Sequence, residues 1–369
     1  MTPKPFKILQ LSVGSLLGQV MLDVLEARRD KLTVIGLNSV AEAPNNFRCD
    51  RIYLVPETDA HSSFLVRFKE ILDVEHPDLI LPGRDEDVCF LSDFKEQNAA
   101  WAEAIPCGNA DLARKIIDKY DTFLWAQQQG LPFAESLLYQ QNNPAALERF
   151  IESTGFPLLA KPRQGFGSRD IFFLQSITDI EAMAASEGDL LLQEYLGDPT
   201  FLTPYFRDYR RGMPLFFQVP ETQQFAAQGL IEPDGKVGAV FCSQSTLIFG
   251  RTERFSNYTH PDLIQLFKDY ARALSEAGWR GVVNLQAKPQ HTTGHWKAFE
   301  LNLRMSGGTA CRLDLGFDEM HHLMQAYYPQ LRFPTLVRPA ADVIFPRFKN
   351  QSLRQEWVFQ LEKEKVFTP

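Results

Sequence analysis

Nowhere do the 369 residues hold a run approaching the ~20 uninterrupted apolar residues that a membrane-spanning helix needs; charges break the longest candidates within a dozen positions. The opening MTPKPFKILQLSVGSLLGQV has two lysines ahead of an apolar stretch, as a short export signal would. Gln10, Ser12 and Gln19 interrupt it, however, and Lys7-Ile8-Leu9-Gln10-Leu11 reads as a first buried strand. The 5 cysteines (Cys49, Cys89, Cys107, Cys242, Cys311) are scattered and never spaced C-x-x-C. That argues against a disulfide framework or a cysteine zinc site and makes the cytoplasm the expected compartment. Basic residues are also short: 38 Lys+Arg face 46 Asp+Glu, for a net charge of -8. Phosphate-backbone affinity comes from clustered Lys and Arg, so neither nucleic acid nor a membrane is an expected partner. A local cationic pocket for a small anion remains open. The chain also lacks G-x-x-x-x-G-K-[ST], H-E-x-x-H and G-x-S-x-G, and Gly14 and Gly18 do not make a G-x-G-x-x-G.

What is present is an ordinary folded composition, with 44% apolar and 23% charged residues. The length exceeds what a single core holds, so two or three lobes are expected. Over the first hundred residues the pattern alternates: strand 6–13, helix 16–29, strand 32–37, helix 64–74, strand 79–81. This is the β-α-β order of a parallel α/β sheet, in which ligands bind at the carboxyl ends of strands. The last of these strands runs through Leu81-Pro82-Gly83 into Arg84-Asp85-Glu86-Asp87. Those charges suit a substrate loop, with Arg84 and Asp85 as contacts, and equally an acidic helix N-terminus. A helical pattern covers 109–130, another 143–155, and a first boundary falls near residue 108. Segment 197–222 reads as a long excursion, and Trp357 to Leu361 alternate like a final strand, packed on the body or in a homodimer interface.

Two constellations carry chemistry. Leu158-Leu159-Ala160-Lys161 is an apolar strand ending in a lysine, followed by Gly165, Gly167 and Ser168 in a loop before a strand at 171–174. A buried lysine needs an anion, and glycine backbone N–H groups can meet phosphate oxygens; an ordinary hairpin turn has the same appearance. Second, 282–287 and 296–304 alternate as strands around a turn. Glu300, Asn302 and Arg304 then share one face, and Gln286 joins them if the strands are neighbours. Hard oxygens beside a guanidinium suit Mg²⁺ and a transferring phosphoryl group, although a hairpin with a solvated polar face reads the same way. The Gly307-Gly308 pair that follows permits close approach of a ligand or another backbone.

In this order the motifs resemble the ATP-grasp superfamily, in the style of the carbamoyl-phosphate synthetase large chain and biotin carboxylase. The resemblance covers roughly residues 6–330. It implies an α/β (α+β) architecture: a Rossmann-like pre-ATP-grasp domain (1–108) followed by a two-lobed ATP-grasp domain (109–334). The small lid lobe would span about 120–195 and the large lobe about 196–334, with 335–369 as a C-terminal extension. It also implies that Lys119, in Asp118-Lys119…Gly130-Leu131-Pro132, and Lys161 contact nucleotide phosphate, with Gly165, Gly167 and Ser168 as the mobile loop. Leu191–Leu196 would be the hinge strand at the adenine edge, through Glu194 and Leu196, or Gln193 if the register shifts by one. Gln286, Glu300 and Asn302 would hold Mg²⁺ or Mn²⁺, two ions in all, and Arg304 with Lys161 would act on the phosphoryl group. Leu303 stands where the family usually has proline, Arg169 replaces a common glycine, and Gln223 or Gln224 lies where relatives place a ribose-binding glutamate.

The implied activity is ADP-forming ligation of a small carboxylate to an amine (or thiol) through an acylphosphate. Phosphorylation of a carboxylate or carbonate without ligation, and a catalytically silent nucleotide-binding regulator, are the alternatives. Arg84, Asp85 and Arg251 are the candidate acceptor residues.

Overall fold

The structure is a computed structural model that describes residues 5–140, 143–165, 170–184, 190–210, 222–248, 251–331, 333, 335–336, 341–346 and 351–369. The chain opens with β1 (Phe6–Gln10), α1 (Leu16–Leu25), β2 (Leu32–Asn38), β3 (Arg51–Leu54), α2 (His61–Glu75), β4 (Leu79–Leu81) and α3 (Asp85–Gln97). The strands pair in parallel in the order β3-β2-β1-β4, so strand order reverses beside β1, and the loops after β1 and β4 flank that reversal. The turn into α1 is tight: a Cβ on Gly18 would lie 2.3 Å from the Val13 carbonyl oxygen, so only glycine lets the helix start this close to the strand.

The helical stretch expected over 109–130 is two helices, α4 (Ala110–Ile117) and α5 (Lys119–Gln128). Asp118 breaks it, because its Oδ1 accepts from the backbone N–H groups of Tyr120 and Asp121 and caps the second helix. Gly130, at φ +66°, takes the chain out of α5.

A small antiparallel sheet follows, built from β5 (Ser136–Leu138), β6 (Leu158–Lys161), β7 (Phe172–Leu174) and β8 (Leu191–Glu194) in the order β5-β8-β6-β7. Helices α6 (Pro144–Thr154) and α7 (Ile177–Ala184) cover it and give it a core of its own, including Leu147, Phe150, Leu158 and Ile180. The excursion expected at 197–222 contains α8 (Thr203–Arg210); residues 211–221 lie outside the described residues.

The large sheet comprises β9 (Thr222–Ile231), β10 (Val237–Ile248), β11 (Arg251–Asn257), β12 (Gly281–Pro289), β13 (Trp296–Asn302) and β14 (Val343–Ile344), ordered β13-β12-β9-β10-β11-β14. Helix α9 (Pro261–Glu276) backs it, while α10 (Thr309–Asp314) and α11 (Glu319–Tyr327) follow β13. One continuous core links Leu9 and Ile35 of the first sheet and Phe68 of α2 to Phe267 and Tyr270 of α9, to Trp279 and to Val283 of β12. The two sheets are therefore packed as one body, whereas the small sheet is cored separately.

The strand expected at 357–361 is instead helix α12 (Gln355–Glu364). Strand alternation would have placed Trp357, Phe359 and Leu361 on one face. The helix buries Val358 and Leu361 and leaves Phe359 66% exposed. The strand comes just after it: β15 (Val366–Phe367) pairs antiparallel with β3, returning the chain to the first sheet.

Candidate active site

Strands β12 and β13 are antiparallel neighbours, with Gln286 opposite Glu300 and Asn284 opposite Asn302. The register shifts at this point, so that Ala287 faces Ala298 and Phe299 is an extra residue. Such a bulge takes a carbonyl out of the ladder, and that of Phe299 accepts from Lys161 Nζ at 3.3 Å. β13 ends at Asn302, and Arg304 lies just beyond it, with its Nη2 3.5 Å from Asn302 Oδ1. Asn302 Nδ2 in turn donates to Glu300 Oε1 at 3.1 Å.

Lys161 ends β6 and is 4% exposed. Its amine donates to Gln193 Oε1 at 2.6 Å, and Gln193 Nε2 donates to Ser136 Oγ at 3.1 Å, which fixes the amide orientation. Burial pushes the Lys161 pKa down to about 7, opposed by the charge of Glu300 and reinforced by that of Lys119. Lys119 opens α5 and donates to the Gly165 carbonyl at 3.0 Å. Lys119, Gly165, Glu300, Asn302 and Asp85 all line one cleft of about 500 Å³, measured to its open mouth, with Phe299 and Phe133 in its wall. Gly167 and Ser168 lie outside the described residues, as does the side chain of Arg251.

The hinge candidates are committed to protein partners. Gln193 holds Lys161, as above. Glu194, 4% exposed, accepts from Lys297 Nζ at 2.9 Å and Gln290 Nε2 at 2.5 Å, while Leu196 sits in the main core. Just after them the Gly197 N–H donates to the Pro289 carbonyl at 3.2 Å, tying this segment to β12.

Sequence reading missed the partner of Arg304. Asp85, the first residue of α3, accepts from Arg304 Nε and Nη2 at 2.6 and 2.7 Å, a forked pair spanning 219 positions. Arg84 turns away, donating to Glu57 Oε2 and Ser12 Oγ at 3.0 Å each. A guanidinium and its carboxylate thus fasten the first lobe to the end of the candidate metal strand. No short motif could have revealed it.

Among the described residues no group of three or more His, Cys, Asp and Glu could hold a metal ion alone. The proposed donors are one carboxylate, Glu300, and two amides, Asn302 and Gln286. That oxygen set fits Mg²⁺, which is commonly held by one or two carboxylates together with substrate phosphates.

No family model matches the chain, and no curated protein matches it in sequence. Solved structures do. N5-carboxyaminoimidazole synthetase from Staphylococcus aureus, complexed with ADP, superposes with a TM-score of 0.64 at 10% identity, over 94% of this chain and 82% of that one. L-amino acid ligase from Bacillus licheniformis gives 0.63 at 13% identity, over 89% and 75%. Rhizobium etli pyruvate carboxylase gives 0.58 at 17%, over 88% of this chain and 28% of that much longer one. These are ATP-grasp enzymes; a first α/β sheet, a separately cored small sheet and a large antiparallel sheet, with the lysine, hinge and paired-strand elements in this order, give the chain the ATP-grasp fold.

Proposed function

We propose that the protein is an ADP-forming ATP-grasp ligase that joins a small-molecule carboxylate to an amine. The observation that carries this reading is the convergence of Lys119, Gly165, Glu300 and Asn302 on one cleft, with Lys161 buried behind it and Arg304 at its end. The N5-carboxyaminoimidazole synthetases and the amino acid ligase that share the fold support it.

Carboxylates acylate poorly, because their leaving group would be oxide or hydroxide. A carboxylate oxygen of the substrate attacks the γ-phosphorus of ATP, the bond from that phosphorus to the bridging oxygen breaks, and ADP leaves with the electron pair. The resulting acylphosphate is attacked by the amine, which loses a proton as inorganic phosphate departs. Phosphoryl transfer needs positioning and charge stabilisation more than covalent chemistry. Lys119 and Lys161 supply positive charge to the phosphates. Arg304, held by the forked pair with Asp85 and bonded to Asn302, both of which line the cleft, adds a fixed positive charge beside it. Gln286, Glu300 and Asn302 would hold Mg²⁺ or Mn²⁺, which neutralises phosphate charge when bound.

The test is an ADP-release screen over paired amino acids and small carboxylates, followed by product mass. Glu300→Ala and Lys161→Ala should abolish substrate-dependent ADP release while circular dichroism and Tm stay close to wild type. Turnover like wild type in either variant refutes the site. A phosphorylated carboxylate as final product, unchanged by amines, would identify a kinase instead.

A further inference from the structure

Lys119 and Lys161 are brought to the phosphate end of the cleft by parts of the molecule that are packed separately. Helix α5, which Lys119 opens, buries Phe123, Trp125 and Ala126 in the main core, with the Trp125 ring 6.3 Å from that of Tyr270 on α9. Strand β6, which Lys161 closes, buries Leu158 and Ala160 in the core of the small sheet. The spacing of the two amines therefore depends on what joins the start of α5 to the end of β6. Two bonds near that junction, from Lys119 Nζ to the Gly165 carbonyl and from Lys161 Nζ to the Phe299 carbonyl, use the amines themselves and so compete with a bound phosphate.

Arg163 supplies bonds that do not. It lies just past Lys161 in the chain, and its partners flank Lys119. Its Nε donates to Asp118 Oδ2 at 2.8 Å and its Nη2 to Asp121 Oδ1 at 3.2 Å, while its carbonyl accepts from the Lys119 backbone N–H at 2.9 Å. The guanidinium also sits 6.0 Å from the centre of the Tyr120 ring. The Asp118 carboxylate is divided between two tasks: Oδ1 caps α5 through the N–H groups of Tyr120 and Asp121, and Oδ2 holds Arg163. Its side chain is only 8% exposed, so the charge-assisted bond to Arg163 is screened less than an ion pair on the surface.

The charges suit a brace. Two ammonium groups directed at one anion repel each other until it is bound, so their spacing needs a support that outlasts the exchange of ligand. Arg163 brings one positive charge to two carboxylates, which holds β6 against α5 without adding to the repulsion between the lysines. With its Nε and Nη2 committed to Asp118 and Asp121, the guanidinium acts through the two lysines it spaces.

We propose that Arg163 is a positioning residue, which braces the small sheet against α5 and thereby sets the spacing of Lys119 and Lys161 across the nucleotide phosphates. The assignment rests on the nucleotide-binding reading above. The test is a double-variant cycle on the affinity for ADP with Mg²⁺, measured for wild type, Arg163→Met, Lys119→Met and the protein carrying both changes. Arg163→Met should weaken ADP binding roughly 10-fold, as for one hydrogen bond to a charged group. In the Lys119→Met background the same change should cost much less, because one of the two groups it spaces is gone. Asp118→Asn, whose remaining oxygen can still cap α5, should reproduce the loss, and adding Arg163→Met to it should cost nothing more. Arg163→Lys, able to keep the Asp118 pair without the fork onto Asp121, should recover part of the affinity. A cost of Arg163→Met that is equal with and without Lys119 overturns the brace, as does ADP affinity like wild type in Arg163→Met; either result leaves the proposed function standing. If Arg163→Met does not fold, Asp118→Asn takes its place in the cycle with Lys119→Met, and additive losses there refute the proposal. No binding of ADP to the wild-type protein overturns both readings.

Discussion

Lys161 offers a way to observe the phosphate contact without knowing the substrate. Its amine is buried against Gln193 and the Phe299 carbonyl, and its pKa falls from 10.5 to about 7. At pH 8 about one-tenth of the nucleotide-free protein carries that proton. A polyphosphate brought against the amine favours the charged form, so ADP binding at pH 8 should take up about 0.9 proton. At pH 6, where the amine is already about nine-tenths charged, uptake should be about 0.1. Supplying the proton weakens binding about 10-fold per pH unit above 7, since one pKa unit is worth about 1.4 kcal/mol. Titration calorimetry in buffers of different ionisation enthalpy reads the uptake directly. The nucleotide's own protonation cancels on subtracting the Lys161→Met curve, and the difference should rise from about 0.1 proton at pH 6 to about 0.9 at pH 8. The same depression fixes a sign for the nucleotide-free fold. Between pH 7 and 10.5 the unfolded chain binds a proton that the native state does not, so this residue makes the fold gain stability as pH rises through that window. Identical proton-uptake curves for wild type and Lys161→Met would refute the placement of Lys161 against the phosphates.

Two further perturbations follow from the packing. Asp85→Ala leaves Arg304 largely buried without its partner; with Asp85 23% exposed, the loss should be about 2–3 kcal/mol in denaturant unfolding, and the double variant Asp85→Ala, Arg304→Met should recover part of it. Recovery that fails would mean the pair is not coupled. Gly18→Ala drives a methyl into the Val13 carbonyl and should cost about 2–3 kcal/mol, measured in the same way; a neutral result would show that the turn into α1 can relax.

Local pattern made much of this molecule legible in advance. The period-two alternation of 282–287 and 296–304 located β12 and β13 and put Gln286 on the Glu300 face on condition that the strands were neighbours, which they are. The apolar run ending at Lys161 located β6. Three things escaped, each for a physical reason. Aromatic residues at 357 and 359 imitated strand alternation over too few positions to separate it from a helix. The Asp118 cap cut one helical pattern into two, because capping competes with helix continuation through a side-chain bond that hydrophobic periodicity does not register. Asp85 with Arg304, and Lys161 with Gln193, are tertiary partners from distant parts of the chain. That Gln193, a hinge candidate, accepts from Lys161 was hidden because its sequence neighbours say nothing of the lysine.

The short segment after Gly130 has one more consequence. Phe133 bridges in parallel to Ala298, with the Ala134 N–H donating to the Ala298 carbonyl at 2.7 Å and the Ala298 N–H to the Pro132 carbonyl at 3.1 Å. β13 is the outermost strand of its sheet, and this loop occupies hydrogen-bonding groups that would otherwise be a template for another chain. β15 does the same for β3, and the Ile80 N–H bonds the Ala104 carbonyl beyond β4. Exposed strand edges invite intermolecular pairing and aggregation. Here pieces of two or three residues occupy hydrogen-bonding groups at the β13, β3 and β4 edges.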